Sequence, residues 1–263
     1  MTQSLSKPKT WEDEYLVSFY EVDAKNRVFL PSLWKYLQET AWNHAHRIGI
    51  GYLDLARDDY FWVLSRLSIE MNEYPGWGDK IRVKTWLLES SRLFAFRDFS
   101  ILKEDGKIIG GAKSAWVVLN LKTRKPQRIE PFLKDLNPLP DQHGAETKLD
   151  KLPAPSHPGE ETFFTVRYSD LDMHQHVNNA RYIEWVLDSY SFEMNQTHHI
   201  TTFEINFLAE SNCGDKLSIQ SERQKDSTPI FLHSIIRKED NRELCRARVR
   251  WKRAEVTGKD SYG

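Results

Sequence analysis

The chain has 263 residues, of which 40% are hydrophobic, 12% aromatic and 29% charged, the balance of a soluble globular protein rather than a disordered or fibrous one. Thirty-seven Lys and Arg stand against 38 Asp and Glu, a formal charge of -1, so no global field draws the chain to nucleic acid or to an anionic membrane. Two cysteines, Cys213 and Cys245, cannot build a disulfide framework and point to a reducing compartment, the cytoplasm by default.

Residues 1–9 are polar and lack the apolar segment of a secretory signal, and no run approaches the roughly 18 apolar residues of a membrane-spanning helix, so neither export nor insertion is expected. The first helix is predicted from Leu33, Tyr36, Leu37, Ala41, His44 and Ile48, whose spacing of three and four places them on one face, with Pro31 suited to its first turn. Alternating strands follow at Leu67, Ile69 and Met71, and at Ile81, Val83, Thr85 and Leu87. Asp105-Gly106, between Ile101 and Ile108, is a tight hairpin signal. Seven of the 11 prolines then fall between Pro126 and Pro158, and a stretch so poor in backbone donors reads as a linker over residues 122–160, outside any helix or sheet. Beyond it a second amphipathic helix carries Ile183, Val186, Leu187 and Tyr190, with Asn178 or Asn179 as its cap. Strands with Phe203, Ile205 and Phe207, and with Leu217 and Ile219, come after.

The order of these elements repeats. Asp23 and Val28 match Asp172 and Val177 at an offset of 149, Gly78-Asp79-Lys80 matches Gly214-Asp215-Lys216 at 136, and Ala112 to Trp116 matches Ala247 to Trp251 at 135. The shrinking offset places about 13 extra residues in the first half, around residues 51–61. One helix followed by antiparallel strands without crossover helices predicts a sheet wrapped round a helix, used twice: residues 10–121, then the linker 122–160, then residues 161–254.

Chemistry concentrates before the second helix. Asp170, Asp172, His174, His176, Asn178 and Asn179 bring carboxylates, imidazoles and amides to a helix start, where free backbone donors hold developing negative charge. The first half has Arg27 where the second has His176. Glu210, after the apolar Phe207-Leu208, has Tyr74 as its counterpart, so only the second half holds a full acid and base set. Turn and capping chemistry is the competing reading of the histidines, and a solvated strand end that of Glu210.

The segment Asp170-Leu171-Asp172-Met173-His174-Gln175-His176-Val177-Asn178-Asn179-Ala180-Arg181-Tyr182-Ile183 closely resembles the active-site segment of acyl-acyl carrier protein thioesterases. Trp62-Val63-Leu64-Ser65-Arg66, Tyr74-Pro75-Gly76-Trp77-Gly78-Asp79 and Thr85-Trp86 are also similar to that family, and the likeness covers most of residues 15–252. The resemblance implies an α+β fold of two tandem hotdog units and hydrolysis of fatty acyl-acyl carrier protein to free acid and carrier thiol, with no cofactor and no metal. Carried over by position, it makes Asp172, His174, His176 and Glu210 catalytic, with His174 standing where the family usually has Asn. A nucleophilic Cys, also proposed for the family, finds Ser211 at the position after Glu210, and Cys213 lies beyond a turn.

In that scheme Glu210 takes a proton from water, the two histidines orient water or carbonyl, and Asp172 fixes the loop or a histidine tautomer. The backbone amides of Val177 and Asn178 are expected to hold the oxyanion. Phe61, Trp62, Leu64 and Trp86 are candidates for the acyl pocket, with core packing as the alternative for each. The expected partner is an acyl carrier protein bearing a fatty acyl-phosphopantetheine, met by Arg181 or by the basic run Arg246, Arg248, Arg250, Lys252 and Arg253, which equally fits an exposed strand face. Nucleic acid and membrane are not expected as partners, and a monomer or a homodimer fits. Rival readings are a metal hydrolase using the same carboxylates and histidines, a noncatalytic acyl-binding module, and an acyl-coenzyme A thioesterase.

Overall fold

A computed structural model describes residues 7–134, 136–159 and 161–254. The first unit runs β1 (Thr10–Leu16), α1 (Leu30–Arg47), α2 (Tyr52–Ala56), β2 (Tyr60–Met71), β3 (Lys80–Leu87), β4 (Ala95–Lys103) and β5 (Ile108–Asn120). A single-turn α3 (Glu130–Leu133) lies in the linker. The second unit is β6 (Glu161–Thr165), α4 (Asn179–Asp188), α5 (Phe192–Thr197), β7 (His198–Phe207), β8 (Lys216–Arg223), β9 (Ile230–Arg237) and β10 (Arg242–Arg253). All ten strands form one antiparallel sheet in the order β1-β3-β4-β5-β2-β7-β10-β9-β8-β6. Each half has the same internal order, mirrored about the β2–β7 seam, where Leu67 pairs with Ile205. This is the double hotdog.

Helix α1 forms where the spacing requires, and Leu33, Tyr36, Leu37, Ala41, His44 and Ile48 are all buried. Pro31 sits in its first turn, where its missing N–H has no helical partner to lose. Asn178 caps α4 by accepting from the Ala180 N–H at 2.9 Å. The apolar faces of α1 and α4 lie against each other and share one core with the inward side chains of both halves of the sheet, Phe99 and Phe203 among them. Between β4 and β5 the predicted hairpin turns through Gly106 at φ 87°. The extra residues of the first half are a longer α1, 18 residues against 10, together with α2.

The linker packs as a strap on the sheet, and the expectation from proline content that it lies outside any helix is corrected by α3. It contains α3, Leu119 bridges to Pro126, and Ile129, Ala145 and Leu152 are buried. Proline is tolerated because Pro131 falls in the first turn of that helix. The strap lies so close to the sheet that a Cβ on Gly111 would sit 1.7 Å from the Gly144 carbonyl oxygen, and one on Gly144 would sit 1.9 Å from that of Phe99. Trp86, expected in the acyl pocket, instead packs fully buried beneath this strap, its indole N–H donating to the Gln142 carbonyl at 2.9 Å.

Candidate active site

The loop before α4 is built by its own first carboxylate. Asp172 Oδ1 accepts from the backbone N–H of His174 at 2.8 Å and of His176 at 3.3 Å, while the Asp172 N–H donates to the His176 carbonyl at 2.8 Å. Gln175 takes a left-handed φ of 64° to close the turn. Leu171 bridges to Val177, and the loop therefore presents His176 in a fixed direction. Of the two roles expected of Asp172, the one observed is holding the loop.

A second segment meets this loop from the end of β7. The Leu208 and Ala209 amides both donate to the Leu244 carbonyl, and the Ser211 carbonyl accepts the Val177 N–H at 3.3 Å. Ser211 Oγ bonds the buried Tyr182 hydroxyl at 2.6 Å, which ties the residue after Glu210 to α4. Burial pushes the Tyr182 phenol above its ordinary pKa, so it acts here as a neutral hydroxyl. The result places Glu210 Oε2 3.6 Å from His176 Nε2, both groups partly exposed. Glu210 and His176, 34 positions apart in the chain, thus face one space.

That space is a cavity of about 890 Å³ whose lining includes Asp172, His174, His176 and Glu210 together with residues of α1, β2, β4 and β5. Trp62 lines it with its indole N–H donating to the Ile50 carbonyl at 2.8 Å, and Phe61 and Leu64 line it too. His174 is exposed, and its ring lies 4.9 Å from that of Tyr52 in α2, so the helix that lengthens the first half reaches the loop of the second.

One expectation is corrected here. The Val177 N–H donates to Ser211 and the Asn178 N–H to the Asp170 carbonyl at 2.9 Å, so neither amide is free to hold an oxyanion. Of the basic residues named as possible carrier contacts, Arg181, Arg246 and Arg248 are paired with neighbouring carboxylates. Arg246 pairs with Glu243, Arg248 makes two bonds of 2.6 Å to Glu204, and Arg181 bonds Glu184 at 2.6 Å. Arginines also line the cavity, Arg97, Arg124, Arg237 and Arg242, of which Arg124 is itself paired with Glu210 and Arg237 with Asp240 and Asp215.

Arg124 was not foreseen. It bonds Glu210 Oε2 directly and lies over the Phe61 ring at 5.3 Å. Its position follows from an Asx turn after β5, in which Asn120 Oδ1 accepts from the Lys122 and Thr123 amides, with Arg124 itself at φ 55°. The turn was readable from sequence, but nothing there named its partner 86 positions on. Among the described residues no three His, Cys, Asp or Glu side chains gather as a metal set. The Cys213 thiol lies 3.9 Å from the Val166 carbonyl and outside the cavity lining.

With this geometry in place, the comparisons with known proteins are specific. Residues 8–135 match the family model described as acyl-ACP thioesterase N-terminal domain and residues 154–253 the C-terminal domain model. A chloroplastic acyl-acyl-carrier-protein hydrolase of Cuphea viscosissima is 31% identical over 270 residues, which covers 94% of this chain and 64% of that protein. The chain therefore spans a little under two thirds of that relative's length. The crystal structure of an acyl-ACP thioesterase from Bacteroides thetaiotaomicron superposes with a TM-score of 0.85 at 33% identity, covering 93% of this chain and 98% of that one. The 12:0-ACP thioesterase from Umbellularia californica shares the fold at a TM-score of 0.81 and 24% identity, covering 93% and 94%.

Proposed function

The chain belongs to the acyl-ACP thioesterase family, and from that premise we propose that it hydrolyses fatty acyl-acyl carrier protein to free fatty acid and carrier thiol, ending fatty acid synthesis. The observation that carries the reading is the approach of Glu210 to His176 in the lining of this cavity. Both protein contacts of the Glu210 side chain use Oε2, which leaves Oε1 to take a proton from water. His176 Nε2, 3.6 Å away, is placed to orient the same water or to donate to the thioester oxygen. His174 extends the polar rim toward Tyr52, and Asp172 is a positioning residue that acts through the loop backbone. A thiolate leaves readily, so no strong general acid is needed.

Trp62 and the cavity behind it take the acyl chain, and the carrier's phosphopantetheine arm enters past Arg124, Arg237 and Arg242. No cofactor or metal is part of the scheme. Two free cysteines are compatible with a cytoplasmic setting, although the plant relatives' names place them in chloroplasts. Among the described residues no helix is long and apolar enough to cross a membrane.

The test is a panel of acyl thioesters varied in chain and carrier, read by release of free thiol. The expected result is turnover on acyl carrier protein thioesters that Glu210→Gln lowers by about 10² to 10⁴ while acyl binding persists. Near-normal turnover in that variant removes Glu210 from the mechanism. Faster turnover on coenzyme A thioesters reassigns the substrate, and retention without thiol release makes the chain a binding module.

A further inference from the structure

The wall of the cavity at β4 is not apolar. Arg97 lines it and is only 5% exposed, although its side chain carries a full guanidinium. Both of its hydrogen bonds to protein run through Nη1, to His44 Nδ1 at 2.9 Å and to Thr85 Oγ1 at 3.2 Å. The His44 tautomer is settled by its other nitrogen. Nε2 lies 3.0 Å from the Pro8 carbonyl, which can only accept, so Nε2 carries the hydrogen and Nδ1 accepts from Arg97. Burial, with Arg97 beside it, pushes the His44 pKa down to about 4, so the imidazole is neutral and does not offset the guanidinium's charge. Among the described residues no carboxylate pairs with Arg97. Burial lowers its own pKa to about 9, which still leaves it a cation at neutrality.

The fold does not demand this charge. Thr85 pairs with Phe99 as Ser221 pairs with His233, and this register makes Phe231 the counterpart of Arg97 in the second half. Phenyl serves there, beside Tyr190 and Trp251, and Phe231 is not part of this cavity's lining. A buried cation with only neutral partners is costly, and a ligand that completes its hydrogen bonds recovers much of that cost. The sheet order puts β4 three strand steps from β7, about 14 Å across from the segment that carries Glu210.

We propose that Arg97 gives the far end of the acyl cavity a cationic, hydrogen-bond-donating wall that selects acyl chains bearing an oxygen near their distal end. The ligand chemistry is a hydroxyl or carboxylate oxygen held by the guanidinium nitrogens that protein leaves unbonded. A methyl-ended chain long enough to reach the same wall strips water from the cation and returns nothing, so it is disfavoured. The inference rests on the thioesterase reading only in requiring that an acyl chain fills the cavity.

The experiment compares a ladder of chain lengths, each as methyl-ended, ω-hydroxy and ω-carboxy acyl carrier protein thioesters, on the wild type and on Arg97→Met. At lengths that reach Arg97 the wild type is expected to show a kcat/KM at least about tenfold higher for an oxygenated chain, the scale of one hydrogen bond to a charged group. Arg97→Met should reverse that order. Preference for ω-carboxy alone identifies an anion as the ligand, and preference for both identifies a general oxygen acceptor. Equal or better turnover of methyl-ended chains at every length, or the same order in Arg97→Met, overturns the proposal while leaving thioester hydrolysis intact. Calorimetry on the wild type with non-hydrolysable acyl-pantetheine amides of the same three kinds decides the matter without turnover or a folded variant. Tighter binding of an oxygenated chain supports the wall, and equal binding removes it. If no thioester is cleaved, the thioesterase reading falls alone and the amide series still judges Arg97.

Discussion

The loops at residues 23–28 and 172–177 share one backbone and differ in what they can do. In the first, Asp23 Oδ1 accepts from the Lys25 and Arg27 amides, Asn26 takes the left-handed turn at φ 55°, and Val22 bridges to Val28. Every one of these features recurs 149 residues later around Asp172. Yet Arg27 turns its guanidinium to Asp23 and to the carbonyls of Asn195 and His198, and Tyr74, in the place of Glu210, donates to the Ile200 carbonyl. The first loop has become a structural clamp on the second unit, and the second has kept its side chains for the cavity. A carboxylate and turn that hold a loop are therefore separable from the chemistry the loop displays.

The cavity follows the same division in reverse. By the 149-residue spacing Tyr190 corresponds to Ala41, and the strand register matches Phe231 to Arg97 and Trp251 to Trp116. Tyr190 packs 5.1 Å from Phe231 and 4.7 Å from Trp251 and bonds His233 Nε2 at 2.7 Å, filling the second unit. Ala41 leaves the equivalent volume open in the first.

Exchanging the two loops' side chains is the harshest way to break this comparison. His176→Arg should give the second loop the clamp residue of the first and lower kcat/KM by about 10² or more, while thermal unfolding shows the fold intact. The reciprocal Arg27→His should leave turnover unchanged and lower stability by about 1–3 kcal/mol in denaturant titration, because partly buried carbonyls of Asn195 and His198 lose a charged donor. Ala41→Tyr should close the first unit as Tyr190 closes the second. Its expected signature is a loss of more than tenfold in kcat/KM on long acyl chains and a smaller loss on short ones, and a uniform loss across lengths would place the chain elsewhere.

The gentlest test lies on the opposite face of the sheet, where Asp98 stands in the place of Leu232. The Asp98 carboxylate is buried beneath the linker, 3.9 Å from Lys113 and 3.7 Å from His143, and burial raises its pKa to about 6 from the ordinary 3.8. A carboxyl whose folded pKa lies above its unfolded value favours the fold when protonated, so this group's share of stability is lost as pH rises from about 4 through 6. Asp98→Asn should therefore gain on the wild type by on the order of 2 kcal/mol between pH 4 and pH 7 in unfolding titrations. A constant difference across that range would mean that Asp98 stays ionised throughout.

How much of this was readable in one dimension depends on whether a feature is local. Asp172, His176 and the Asn178 cap lie within seven residues, and the helix faces follow from spacing, so both were visible. Glu210 stood out as a carboxylate at the end of an apolar strand, and only the family resemblance gave it a role, since strand pattern alone fits a solvated end equally well. Arg124 reaches the site through a turn whose partner only the sheet order supplies. The Val177 and Asn178 amides were misread because a helix start offers free donors only if no neighbouring segment takes them, and here carbonyls of Ser211 and Asp170 do. Tyr190 as a plug required the strand register, which differs by two residues between β3 and β4 when the halves are aligned.

The β2–β7 seam carries a consequence for how such a molecule can change. Two separate copies of one chain, joined edge to edge about a twofold axis, must carry the same residue at both equivalent places, so an alanine that opens a chamber on one side opens its twin as well. A covalent connection lifts that constraint. Once the halves are encoded apart, a bulky phenol can brace one while the other hollows out, and stability and capacity evolve on different residues.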